Sequence, residues 1–184
     1  MRYEHQYGQE RKQMRWADFD YSSQGVYFIT IVTHSRWCLF GNVVNGEMAS
    51  NDAGRMVMDE YQHLEQSMSG VECMDAVVMP NHFHALVYLS HDGGCSLSDV
   101  LWQLKSKTTN RYIHGVRELG WPRFDKQLWQ TSYWDDIVWN GRMFQFIQRY
   151  IALNPERWDR DLINDDHVAV ADDIRGCLDR LRRI

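Results

Sequence analysis

Two short runs, Glu72–Met79 and His82–Leu89, are separated only by Pro80-Asn81, and this arrangement constrains the chain more than any other feature. Both are too short for ordinary helices, and the break between them carries a proline. They read as two consecutive strands. A helical pattern flanks them on each side. Val57, Tyr61, Leu64 and Met68 recur at helical spacing in Asp52–Ser69, and Gly70 stops that helix. A second helix opens near Ser96, with Ser96 or Ser98 as its cap, and runs to about His114 on a stripe of Leu97, Leu101, Leu104 and Thr108.

Further elements complete the order. Val26–Val32 is β-branched, aromatic and apolar on both faces, as a central strand is. Phe40–Val44 followed by Asn45-Gly46 predicts a small hairpin. After a loop over Gly115–Lys126, a strand is expected at Trp129–Trp139, then a helix from Gly141 to Pro155. Strand, helix, strand, strand, helix, strand is the order of a ferredoxin-like α+β fold, an antiparallel sheet with helices on one face. The added tyrosine-bearing helix near the C-terminus would then have a face of the sheet available to it. Residues 1–20 read as an arm, 21–158 as one domain, and 159–184 as a tail that is first acidic, then basic, and helical from about Ala171.

A chain of 184 residues suits one domain with a real core. No stretch approaches eighteen apolar residues, and the N-terminus lacks the apolar block of a signal peptide, so no membrane association is expected. Cys38, Cys73, Cys95 and Cys177 lie far apart with no C-x-x-C pair, and read as reduced thiols of a cytoplasmic protein. The net charge of −5 counts against nucleic acid when taken alone. Its distribution is uneven. Lys105, Lys107, Arg111, Arg117, Arg123 and Lys126 gather in residues 101–126, and Arg11, Lys12 and Arg15 in the arm. Charge alone favours solvated helix faces over a binding surface.

His82 and His84 stand two apart on a strand and so share one face, continued by Leu86 and Tyr88. Two neutral imidazoles so placed can meet one metal ion. An isolated H-x-H is more often a pair of exposed or internally hydrogen-bonded histidines. Downstream, Tyr150 and Asn154 are i and i+4 on a helix and lie one above the other, on the apolar stripe of Met143, Phe146 and Ile147. Tyr150 fits a core role. Asn154 fits it less well, because an amide in an apolar stripe needs a partner.

Met79-Pro80-Asn81-His82-Phe83-His84-Ala85-Leu86 resembles the His–hydrophobic–His motif of HUH endonucleases, in the form used by single-tyrosine transposases of the IS200-like kind. Tyr150-Ile151-Ala152-Leu153-Asn154-Pro155 resembles the nucleophile helix of the REP-associated tyrosine transposases. Matching pieces occur in order at Gly25–Thr30, Leu104-Lys105-Ser106, Leu128-Trp129-Gln130 with Tyr133, and Glu156-Arg157-Trp158, so the likeness spans residues 20–160. The chain departs from the pattern at Asp136 and near Trp139, where many relatives carry histidine and arginine.

The resemblance implies a ferredoxin-like sheet and a metal-dependent enzyme that cleaves and rejoins single-stranded DNA hairpins of REP type. It makes Tyr150 the nucleophile and His82, His84 and Asn154 the metal ligands. Mg²⁺ or Mn²⁺ suits a phosphate ligand, although two imidazoles would also accept zinc. Lys105, Lys107, Arg111 and Arg123 are the expected DNA contacts, and Trp129 and Trp134 the tryptophans to consider for base stacking. Relatives include monomers and dimers that exchange the tyrosine helix, so a homodimer is among the expected states. Two rivals stand beside this reading. One is a non-cleaving nucleic-acid-binding protein on the same fold, a domesticated transposase that holds repetitive hairpins. The other is a small metal-dependent hydrolase unrelated to DNA.

Overall fold

Strands β1 (Gly25–Val32), β4 (Val71–Val78), β5 (His82–Leu89) and β6 (Trp134–Ile137) form one antiparallel sheet in the order β4-β5-β1-β6. The computed structural model describes residues 24–161, 163–164 and 174–182. The arm residues Arg11, Lys12 and Arg15, and the whole of the 1–20 segment, lie outside the described residues. With helices α1 (Asp52–Gln62) and α3 (Leu97–Glu118) between the strands, the strand order is that of the ferredoxin-like fold. A four-residue helical turn, α2 (Leu64–Ser67), follows α1. The second half of the expected 52–69 helix is thus broken at His63, and Met68 is already extended (φ −134°, ψ 114°).

Alternation along the two central strands sorts side chains between two cores. Tyr27, Ile29 and Ile31 of β1 and Phe83, Ala85, Val87 and Leu89 of β5 are buried beneath α1 and α3. Phe28 and Leu86, one residue out of step, face α4 (Gly141–Ala152) and α5 (Ile174–Arg182), where Met143, Ile147, Tyr150, Ile151 and Leu178 cover them. Helices therefore cover both faces of the sheet. This is why β1 is apolar on both faces, with Thr30 its one polar side chain.

Local chemistry fixes the supports. Ser96 caps α3 through a reciprocal pair, its Oγ accepting from Asp99 N at 3.3 Å while Asp99 Oδ2 accepts from Ser96 N at 2.9 Å. The helix runs past His114 to Glu118, because Gly115 lies within it and its missing Cβ leaves room for the ring of Trp121. The hairpin β2 (Gly41–Val44) and β3 (Glu47–Ser50) forms as expected around Asn45-Gly46, both with positive φ (54° and 78°), as a two-residue primed turn demands. The expected strand 129–139 is shorter. Trp129 makes only an isolated bridge to Thr33, and pairing with β1 is confined to Trp134–Ile137. α4 is capped by Asn140, whose Oδ1 accepts from Met143 N at 2.9 Å, and ends at Ala152 rather than Pro155. Leu153 leaves helical values (φ −93°, ψ 3°), Asn154 returns to them (φ −59°, ψ −41°), and a 3-10 turn, Pro155–Arg160, follows. No helix among the described residues is long and apolar enough to cross a membrane.

Candidate active site

The register Val32↔His82 and Thr30↔His84 sets both histidines on the α4 side of the sheet, near its β1 C-terminal end. His82 is fully buried and His84 is 2% exposed, with ring centroids 4.5 Å apart. Phe28 stacks on His84 at 5.4 Å from below, and Trp158 of the 3-10 turn covers His82 at 5.9 Å. From α4, Tyr150 turns its hydroxyl to within 3.5 Å of His84 Nε2. Asn154, 1% exposed, lies beside His82. The tyrosine and the asparagine thus converge on the histidines within one chain.

Neighbouring polar groups decide which imidazole nitrogens face inward. Asn81 Nδ2 donates to Arg36 O and Ile163 O, both at 3.0 Å, which turns Oδ1 toward His82 Nδ1 at 2.9 Å. An amide oxygen can only accept, so His82 Nδ1 carries the proton and Nε2 presents its lone pair. His84 Nδ1 meets Thr30 Oγ1 at 2.7 Å, leaving its Nε2 toward Tyr150. These are the orienting contacts that metal-binding histidines ordinarily have.

His82 Nε2 faces Asp161 Oδ2 at 3.5 Å. Ligand atoms of His82, His84 and Asp161 all lie within 4.8 Å of one another. His82 Nε2 and Asn154 Oδ1 are buried without a hydrogen-bond partner. A lone pair pointed at a carboxylate, next to an orphaned amide oxygen, is costly unless a cation lies among them; each unsatisfied buried acceptor costs about 1–3 kcal/mol. Protonation of the imidazoles does not supply that charge. Burial pushes His82 below its ordinary 6.5, against opposing pulls from Asp161 and Asn154. Burial, then the neighbouring His82, holds His84 well below it. The donor set of two neutral imidazoles, a carboxylate and an amide oxygen fits a divalent metal.

Asp161, Thr30 and Asn81 were not singled out in the sequence. Asp161 counted only as one of several late acids, and nothing local marks the turn that carries it back to β5. Thr30 needed the strand register. Asn81 was visible beside His82 but has meaning only once Arg36 and Ile163 are placed.

The expected DNA contacts do not join this cluster. Lys105, Lys107 and Arg111 lie on α3, which packs on the opposite face of the sheet. Lys105 Nζ donates to the carbonyls of Gln130, Thr131 and Ser132 at 2.8, 3.3 and 3.4 Å, and burial lowers its pKa to about 8. Lys107 Nζ reaches Ser67 Oγ at 3.4 Å, and Arg111 pairs with Glu60 at 2.8 Å. Arg123 is exposed on the 119–133 loop. Trp129 is not a stacking platform: it is 4% exposed, and its indole N–H donates to Thr108 Oγ1 at 2.8 Å. Trp134 packs edge-on against Phe28. Asp136, the departure from the family pattern, is buried and paired with Arg182 of α5.

Fold and site together define a ferredoxin-like protein in which a helix-borne tyrosine is set against a cluster of metal-ligand residues. The chain belongs to the family of IS200-like transposases, which matches residues 24–154. It is 30% identical over 169 residues to an uncharacterized protein of Haemophilus influenzae, covering 85% of this chain and 94% of that relative. Two solved structures share the fold at 19% identity. A REP-associated tyrosine transposase bound to a REP hairpin has a TM-score of 0.52 and is matched over 71% of this chain and 66% of its own, just under two thirds. A transposase candidate from Deinococcus radiodurans R1 has a TM-score of 0.50, over 84% of this chain and 98% of its own.

Proposed function

We propose that the protein is a metal-dependent single-stranded DNA endonuclease and strand transferase that works through a 5′-phosphotyrosine link. The observation that carries this reading is the approach of Tyr150 Oη to 3.5 Å from His84 Nε2, inside a cluster where His82 Nε2 and Asn154 Oδ1 are buried without partners. Family membership and the hairpin-bound neighbour support the same substrate class.

In this reading His82, His84 and Asn154 hold a divalent cation, Mg²⁺ or Mn²⁺, with Asp161 as a further ligand. When bound, the cation would draw charge from the non-bridging oxygens of the scissile phosphate and orient it. Asn81 and Thr30 hold the two imidazoles in position. Tyr150 Oη attacks phosphorus, the P–O3′ bond breaks, and the strand leaves with a free 3′-hydroxyl while the 5′-phosphate stays on the tyrosine. The phenol, which titrates near ~10 in water, loses its proton in this step. The ester retains the bond energy, so a 3′-hydroxyl can reverse the reaction without ATP. Lys105, Lys107, Arg111 and Arg123 are proposed to guide the DNA away from the cleavage point. One chain supplies the whole site in cis, and a homodimer is not required to complete it.

The test is Tyr150→Phe with labelled hairpin DNA and Mn²⁺. Cleavage should fall by up to about 10⁶-fold, the scale seen when a covalent nucleophile is deleted, while hairpin affinity stays within a few-fold. Cleavage equal to wild type contradicts the mechanism. Hairpin binding without cleavage in the wild type would favour the non-cleaving alternative.

A further inference from the structure

Five large apolar side chains are exposed among the described residues: Trp37 (44%), Val44, Trp102, Leu119 and Trp139. Their places in the fold differ. Trp139 follows Val138, whose N–H pairs with Val26 O, so it sits at the Gly25 end of the sheet. The histidines are toward the Val32 end, about 16–23 Å away along β1. Trp102 and Leu119 belong to or follow α3 on the opposite face, and Val44 to the hairpin. Trp37 leaves β1 at the same end as His82.

The loop carrying Trp37 is built rather than slack. Ser35 and Arg36 both adopt positive φ (57° and 54°), which side-chain-bearing residues adopt at a cost. That backbone is held from several directions. Thr33 Oγ1 donates to Trp37 O at 2.9 Å, and His34 N donates to Leu128 O at 2.8 Å. Asn81 Nδ2 donates to Arg36 O at 3.0 Å, while the same carboxamide faces the His82 ring at 2.9 Å. One side chain therefore joins the residue before Trp37 to the first metal-site histidine. The result is an indole that water reaches, next in sequence to the exposed Arg36, whose carbonyl is linked to His82 through the Asn81 carboxamide.

We infer that Trp37 is a stacking platform for a base of the single strand next to the scissile phosphate. Every base has a π-face, so an aromatic ring on a fixed loop grips single strands with little regard to sequence. Duplex DNA keeps its bases stacked on one another and offers no such face. The inference rests on the reading of the site as one that handles single-stranded DNA, and adds the surface that receives it.

The experiment is fluorescence anisotropy with the full chain, in EDTA to prevent cleavage. The probes are a labelled thymine oligonucleotide and a blunt duplex. Trp37→Ala should weaken single-strand binding by about tenfold to a hundredfold, and Trp37→Phe should stay within about threefold of wild type. Trp102→Ala, and Trp37→Ala on the duplex, should match wild type. Photocrosslinking of a 5-iodouracil oligonucleotide should map to Trp37 by mass spectrometry. Unchanged single-strand affinity in Trp37→Ala, or an equal loss on duplex, overturns the inference alone. Wild-type protein that binds no single strand overturns the reading of the site and this inference with it.

Discussion

The two faces of the central strands β1 and β5 are made from alternate residues of the same sequence, yet they do opposite things. On one, Tyr27, Ile29, Ile31, Phe83, Ala85 and Val87 are buried among the apolar stripes of α1 and α3. On the other, Thr30, His82 and His84 bury polar atoms beneath α4, two of whose neighbours, His82 Nε2 and Asn154 Oδ1, lack partners. Apolar burial contributes about 25 cal/mol per Å² and drives folding, whereas unmet polar burial opposes it. The first face stabilises the protein. The second stores a desolvation cost that a cation and a substrate would relieve.

That contrast can be broken by mutation. Phe83→Ala, on the apolar face, should cost about 3–5 kcal/mol in denaturant unfolding. His84 is the next residue and equally buried, but Thr30→Val with His84→Leu removes both partners of one hydrogen bond. Stability should then stay within about 1 kcal/mol of wild type while metal binding is lost. A loss as large as that of Phe83→Ala would show that the polar face also holds the fold together.

A cation should sharpen the difference. Saturating Mn²⁺ at about 100 times its dissociation constant should raise unfolding free energy by about 2.7 kcal/mol. Asn81→Ala, which releases the tautomer of His82, should weaken Mn²⁺ affinity by about 10–100-fold in calorimetry. Affinity equal to wild type would remove Asn81 from the site's support.

Acid should act on the polar face alone. His82 and His84 have pKa values lowered by burial, so below about pH 6.5 the unfolded chain takes up protons that the fold refuses. In EDTA their contribution to stability is complete above that pH. It falls on acidification, by up to about 1.4 kcal/mol per pH unit for each histidine. The Thr30→Val/His84→Leu variant should show a shallower slope between pH 7.5 and 5.5, and equal slopes would contradict the assignment.

Period-two alternation and helical stripes made most of the sheet and the long helices readable from the residues. They placed His82 and His84 on one face, and Tyr150 and Asn154 on one side of a later helix. What they could not supply was long-range register. Trp129 looked like strand and stacking surface, yet its indole is consumed by Thr108 inside the core. Lys105 reads as a phosphate contact, and only the fold shows that its ammonium also ties α3 to the loop carbonyl of Gln130, on the face of the sheet opposite the histidines. Asp161 became a member of the cluster only because the 3-10 turn after Asn154 brings it back to His82. Asp136 reads in the sequence as a departure from the family pattern, and the fold pairs it with Arg182.

The central claim is that Tyr150 forms a covalent bond to DNA beside the two imidazoles. Incubation of the full chain with Mn²⁺ and a single-stranded hairpin, followed by quenching, protease digestion and mass spectrometry, reads it directly. The account predicts a nucleotide adduct on the peptide containing Tyr150, absent when His82 and His84 are replaced. Cleaved DNA with the adduct on another residue, or with none in both wild type and Tyr150→Phe, would contradict it.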